Sequence, residues 1–176
     1  MSHSRLLGAA VGGAFMLAAS AASAHITLAV PEATVGTFYK AVFRVPHGCD
    51  GEPTLKVRVR IPDGVIGVKP QPKPGWTLST VIGKYPAPVA FMHGQTLAEG
   101  VKEVDWSGRL PDDDYDEFAV FAYLGDALKP GTRLYWPAVQ ECAKGANRWI
   151  EIPAAGQDAE KLEHPAPSLE LLPPKR

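Results

Sequence analysis

The chain has 176 residues, of which 18 are lysine or arginine and 19 are aspartate or glutamate, giving a formal net charge of −1 at pH 7. A chain without an excess of positive charge is not suited to bind polyanions, which excludes nucleic acid and anionic membrane surfaces as expected partners. Its length predicts a single domain that is large enough to bury a core.

Residues 1–24 have the pattern of a cleaved signal peptide. Arg5 supplies a short positive start, residues 6–21 are apolar or small, and Ala22-Ser23-Ala24 fits the pattern that signal peptidase cleaves. The stretch is too short and too rich in alanine and glycine to favour a membrane span, and no second apolar segment follows it. We therefore expect an exported protein of residues 25–176, with an uncleaved anchor as the alternative.

Cleavage after Ala24 makes His25 the first residue of the mature chain, so one residue carries both an α-amine and an imidazole. The ordinary pKa of an α-amine is about 8, and a metal ion can therefore displace its proton at modest cost. Two nitrogens joined in one chelate ring suit copper(II), which prefers tetragonal nitrogen and oxygen ligands. The alternative is an N-terminal histidine that lies in solvent.

Alternating side chains predict β-strands along most of the mature chain. The stretch FYKAVFRV (38–45) alternates in character, and LKVRVRI (55–61) does so with period two, which places Leu55, Val57, Val59 and Ile61 on one face. Further runs typical of strands are EVDWSG (103–108), FAVFAYL (118–124), RLYWPAVQ (133–140) and RWIEIP (148–153). All four tryptophans, Trp76, Trp106, Trp136 and Trp149, are expected to be buried.

Proline and glycine interrupt these runs and exclude long helices. They mark turns and edges at PDG (62–64), KPQPKPGW (69–76), YPAP (85–88) and KPG (129–131). One helical turn is expected in residues 155–164, before a proline-rich C-terminal tail. Short strands separated by turns predict an all-β fold, a single antiparallel β-sandwich over residues 25–176.

The mature chain has two cysteines, Cys49 and Cys142, and an exported protein is expected to join them in a disulfide. The alternative is a soft copper(I) site that uses both sulfurs. Motifs of nucleophilic enzymes, phosphate-binding loops and zinc peptidases are absent from the sequence. The acidic loop LPDDDYDEF (110–118) lacks the spacing of an EF-hand; we interpret it as a solvated turn, with a calcium site as the alternative.

The mature chain resembles the YcnI-like copper-binding proteins, a family long described as a domain of unknown function. The resemblance rests on His25-Ile26-Thr27, FRVPHGCDGEPTLKVRVRIPDGV (43–65), KPGWTL (73–78), EVDWSG (103–108), DEF (116–118), VQEC (139–142), RWIEIP (148–153) and HPAPSLEL (164–171). The motifs HGC and VQEC are similar to the cysteine-containing variant of Gram-negative bacteria, which implies a periplasmic location.

This resemblance implies an immunoglobulin-like or cupredoxin-like β-sandwich that binds copper(II) at a mono-histidine brace. His25 takes the position of the brace, Trp149 that of a nearby tryptophan, and a carboxylate completes the site. The family's glutamate after the RVP turn is not matched in this sequence. Glu52 is the leading candidate for the carboxylate and His47 is the rival third ligand, while His93 and His164 are interpreted as surface residues.

The expected function is copper sequestration, trafficking or delivery without enzymatic activity. Besides the copper ion, the expected partners are a membrane copper transporter or a periplasmic copper chaperone. One alternative is a copper-dependent oxidative enzyme of the polysaccharide monooxygenase type, which would need a second brace histidine such as His47. The other alternative is a metal-free β-sandwich interaction module.

Overall fold

β-Strands make up nearly all of the regular structure in residues 25–174, the part of the chain that the computed structural model describes. The predicted signal peptide, residues 1–24, lies outside this part. The strands are β1 (Thr27–Leu28), β2 (Glu32–Thr34), β3 (Phe38–Val45), β4 (Thr54–Arg60), β5 (Val65–Pro70), β6 (Thr77–Ala90), β7 (Thr96–Leu110), β8 (Asp116–Leu124), β9 (Arg133–Tyr135), β10 (Ala138–Cys142), β11 (Ala146–Trp149) and β12 (Ser168–Leu172).

Helical structure in the described residues consists of two single 3₁₀ turns, Met92–Gly94 and Ala159–Lys161. The second falls within the stretch that was predicted to form a helical turn. Neither turn has the length and apolar character of a membrane-spanning helix.

The strands form two main sheets and a smaller third one. The four-stranded sheet has the order β1-β3-β8-β5, and the five-stranded sheet has the order β11-β10-β4-β7-β6. Neighbouring strands in both are antiparallel, which confirms the predicted antiparallel sandwich. The third sheet, β2-β12-β9, contains a parallel pair, β2 with β12, which the sequence pattern did not predict.

The two strands predicted from alternation are β3 and β4. β3 spans residues 38–45 as predicted, and its side chains alternate between exposed and buried. In β4, Val57 and Val59 are fully buried, but Leu55 is 39% exposed and does not share their face. The pairing of β4 with β7 shifts register between Thr54 and Lys56, and this bulge turns Leu55 outward.

The prolines of YPAP (85–88) lie within strand β6 and mark a sheet edge, one of the two features predicted for them, and not a turn. β6 is at the edge of the five-stranded sheet, where one side of the strand needs no hydrogen-bonding partner. Its pairing with β7 is also interrupted between Lys84 and Val89, the segment that contains Pro86 and Pro88. A proline that lacks an N–H therefore disrupts no ladder hydrogen bond here.

The core lies between the sheets and contains buried residues from Ile26 to Leu171. Trp106 and Trp136 are fully buried and Trp149 is 2% exposed, as their strand positions predicted, whereas Trp76 is only partly buried. The ring of Trp106 packs 5.5 Å from that of Phe118, measured between centroids. Ala138 of β10 and Trp149 of β11, the strands that carry the candidate site, belong to this core.

Cys49 and Cys142 form a disulfide across a sequence separation of 93 residues, as predicted. Because the two sulfurs are bonded to each other, they are not available as the thiolate ligands of a copper(I) site. The bond ties the loop after β3, which carries His47, to the end of β10.

Candidate metal centre

His25 lies against Trp149, the residue with which the sequence analysis had paired it. The two ring centroids are 5.1 Å apart and the ring planes are inclined by 57°. His25 is half-buried and precedes β1, while Trp149 is the buried last residue of β11. In the structure the imidazole is therefore packed against the protein, unlike the solvent-exposed histidine of the alternative interpretation.

Trp149 is held by the buried side chain of Gln140, which is 1% exposed. The indole Nε1 donates to Gln140 Oε1 at 3.3 Å. Gln140 Nε2 donates to the backbone oxygen of His47 at 2.6 Å and to Thr54 Oγ1 at 2.7 Å. One amide thus connects β10, β11, β4 and the His47 loop.

Gln140 was not among the predicted site residues, although the sequence carries a signal for it. In β10, Ala138, Gln140 and Cys142 share the buried face, and a polar residue at the centre of such a face needs hydrogen-bonding partners. We therefore infer that Gln140 sets the position of Trp149 relative to the His47 loop.

Substitution Gln140→Leu is expected to lower the free energy of unfolding by about 2–4 kcal/mol, because it leaves buried polar groups without partners. Urea denaturation followed by tryptophan fluorescence measures this loss. The matched control is Gln95→Leu at an exposed position, which should change stability by less than about 0.5 kcal/mol. Equal stability of the two variants would contradict the role of Gln140.

His47, the rival third ligand, lies in the loop that follows β3. The start of β1 lies next to this end of β3. The antiparallel register pairs Thr27 with Arg44, so the chain direction carries His25 toward the end of β3. His47 Nδ1 donates to the carbonyl oxygen of Gly48 at 2.7 Å. A histidine that donates one ring N–H to a carbonyl presents its other nitrogen, here Nε2, in the form that binds metals.

Glu52, the leading carboxylate candidate, is paired with a lysine. Its Oε1 accepts a hydrogen bond from Lys144 Nζ at 2.7 Å. This hydrogen bond, together with the charge of the carboxylate, raises the pKa of Lys144. Glu52 also forms an isolated β-bridge with Cys49 and therefore belongs to the disulfide turn.

His164 lies beside Trp149, and Glu151, a reserve candidate for the carboxylate, is bonded to the backbone of His164. The His164 ring centroid is 5.3 Å from that of Trp149. Glu151 Oε2 accepts a hydrogen bond of 2.6 Å from the backbone N–H of His164. Since Glu151 follows Trp149 by two residues in a predicted strand, period-two alternation would have placed the two side chains on one face.

The interpretation of His164 as a surface residue was wrong. The residue is half-buried, and its Nδ1 is a buried atom without a hydrogen-bond partner. The reason is a short parallel bridge between Glu151 and Pro165, which draws residues 164–166 against the end of the sandwich. His93, by contrast, is exposed as expected.

Side chains alone do not form a metal site in residues 25–174, where no group of three or more His, Cys, Asp or Glu residues is placed to hold an ion. In the acidic loop, Asp116 pairs with Lys73 at 2.6 Å and Glu117 with Arg44 at 3.1 Å. A metal centre at His25 therefore needs the α-amine, a ligand that exists only after cleavage.

An open cavity lies beside His25. Its volume is about 440 Å³, and its lining is more apolar than polar. Besides His25 and the start of β1, the lining includes Pro165 and Ala166. His25 is therefore accessible to an incoming ion or a partner.

One protein-family model matches most of the chain. The model of a domain of unknown function, DUF1775, matches residues 25–171. The chain belongs to the DUF1775 family. The match begins at His25, the residue that the predicted cleavage would expose.

A solved structure supports the fold. The chain is similar to an uncharacterized protein from Nocardia farcinica whose crystal structure has an immunoglobulin-like fold. The TM-score is 0.61 and the identity 25%, over 85% of this chain and 99% of the other. Of the two predicted sandwich types, the fold is thus immunoglobulin-like. No curated protein matches the chain.

Proposed function

We propose that the mature protein binds copper(II) through the α-amine and imidazole of His25, in the manner of a mono-histidine brace, and serves copper sequestration, trafficking or delivery. The observation that supports this most strongly is the packing of His25 against Trp149, at 5.1 Å between ring centroids, beside an open cavity. A terminal residue held in this way has its chelating groups partly ordered before the ion arrives.

The donor set around Trp149 fits copper(II). The chelate of His25 supplies two nitrogens, and a carboxylate supplies a hard anionic oxygen that balances charge. Both carboxylates accept a hydrogen bond, Glu52 from Lys144 and Glu151 from the backbone N–H of His164. Glu151 is the better candidate, because it is two residues from Trp149 and its partner His164 contacts the Trp149 ring. His47 remains the rival, because its Gly48 hydrogen bond leaves Nε2 free.

Export to the periplasm is part of the same proposal. The disulfide between Cys49 and Cys142 suits an oxidising compartment. The open cavity at His25 suits exchange of the ion with a membrane copper transporter or a periplasmic copper chaperone. The buried tryptophans 106, 136 and 149 do not supply the flat aromatic surface on which a polysaccharide monooxygenase binds its substrate.

Titration of the protein beginning at His25 with copper(II) tests the proposal. We expect one ion per chain and an electron paramagnetic resonance (EPR) spectrum with coupling to nitrogen, since both brace ligands are nitrogens. Failure of the folded protein to bind copper(II) saturably would refute the proposed function.

The carboxylate is tested by Glu151→Gln, which removes the negative charge while keeping the shape of the side chain. We expect copper(II) affinity to fall about 10-fold or more, measured by competition with a chelator. Glu52→Gln is the competing variant, and Glu99→Gln, at an exposed position in β7, is the matched control. A loss in Glu52→Gln without one in Glu151→Gln would instead assign the carboxylate to Glu52.

A further inference from the structure

The edge strands of the two main sheets differ in how well they are protected against pairing with another chain. β1 has two residues, and β11 has four, one of which is Arg148. β5 ends in Lys69 and Pro70. Short length, charged side chains and proline are features by which natural proteins block pairing at a sheet edge. These three edges are therefore protected, and β6 is the fourth edge.

Strand β6 has these protective residues only in its second half, where Lys84, Pro86 and Pro88 lie. The first half, TLSTVIG (77–83), contains neither a charged side chain nor a proline. In residues 25–174 the backbone hydrogen bonds of this segment run only within the ladder with β7. The N–H and C=O groups on its outer side can therefore pair with another strand.

The same segment exposes large apolar side chains. Val81 is 51% exposed and Ile82 is 55% exposed. Successive residues of a strand point to opposite faces of the sheet, so apolar surface is exposed on both faces at this edge. Removal of such surface from water favours association with another protein surface.

The sequence of residues 77–83 is suited to pairing with itself. In an antiparallel pair with a two-fold axis at Thr80, Leu78 lies opposite Ile82 of the second copy, and symmetry produces this apolar pair twice. Apolar side chains opposite each other stabilise an antiparallel pair, whereas opposed like charges destabilise it. Since the segment has no charged side chain, two copies can meet without opposing like charges within it.

We propose that the mature protein forms a two-fold symmetric dimer by antiparallel pairing of residues 77–83 with the same residues of a second copy. The five-stranded sheets of the two copies then form one continuous sheet. Pro86 and Pro88 end the pairing, and because each copy uses its unprotected edge, the assembly closes at two copies. His25 contacts Trp149 in β11, at the opposite edge of the sheet, so the dimer does not depend on the proposed function.

Sedimentation equilibrium of the metal-free protein beginning at His25 tests the dimer, at chain concentrations from about 10 µM to about 1 mM, the range of weak interfaces. We expect twice the mass of one chain at the upper end of this range. Thr80→Lys places two like charges opposite each other at the axis and should weaken the dimer about 10-fold or more. Thr96→Lys, at an exposed position in β7, is the matched control. A monomer throughout, an assembly larger than two copies, or equal dimers in both variants would overturn the proposal.

Cross-linking tests the register and does not depend on the folding of Thr80→Lys. Opposed residues of an antiparallel pair have Cα atoms about 4.5–5.5 Å apart, which a disulfide can span, so Thr80→Cys should form a covalent dimer on mild oxidation. Thr77→Cys is the matched control, because Thr77 lies opposite Gly83 of the second copy and its two thiols would be about 20 Å apart. Failure of Thr80→Cys to cross-link, or equal cross-linking of the two variants, would disprove this pairing.

Discussion

One alanine placed before His25 is expected to abolish the copper(II) site. The added residue converts the α-amine into a peptide amide, which does not give up its proton to a metal as readily as an ammonium group does. The one-residue chelate is then lost, because the free α-amine belongs to the added alanine and no longer to His25, while the His25 ring keeps its packing against Trp149. We expect affinity to fall at least about a hundredfold, equivalent to about 2.7 kcal/mol.

The same variant should lose its stabilisation by copper. At a copper(II) concentration about a hundred times the dissociation constant, binding to the native state adds about 2.7 kcal/mol of stability. Thermal unfolding with and without copper(II) measures this difference, and EPR reports the loss of the amine nitrogen. An alanine added after Arg176 is the matched control, because it leaves the α-amine free. Identical spectra for the two extended proteins would disprove the brace.

Removal of the disulfide in Cys49→Ser/Cys142→Ser is expected to cost about 4–5 kcal/mol of unfolding free energy, because the bond spans 93 residues and restricts the unfolded chain. The native state should also loosen locally, since the bond anchors the His47 loop near Gln140. Urea denaturation provides the measurement.

The single variants Cys49→Ser and Cys142→Ser serve as controls for this result. Either change breaks the same bond, so each should lose nearly as much stability as the double variant. Unmodified protein held in excess dithiol should unfold at a similar urea concentration once the bond is reduced. A loss below about 1 kcal/mol in the double variant would contradict the predicted contribution of the bond.

The alternation of side chains along the sequence was sufficient to predict much of the fold. Alternation identified β3 residue for residue, because one face of that strand packs on the core and the other meets solvent. It did not reveal the bulge that exposes Leu55, since a change of register depends on the partner strand β7. Pro86 and Pro88 were expected at a turn or an edge, and only the strand pairing decided for the edge, because the sequence does not show where a strand lies in its sheet.

The candidate site, like the fold, was predicted from the sequence only in part. By itself the sequence determined the proposed chelating residue His25 and the cysteine pair, and the resemblance to a known family added Trp149. Only the tertiary structure decided which groups surround them. Glu151 and His164 lie beside Trp149 because a parallel bridge at Pro165 draws the C-terminal segment against the end of the sandwich. Such a bridge depends on backbone pairing between segments that are distant in sequence. The side-chain periodicity of one segment does not show which other segment pairs with it.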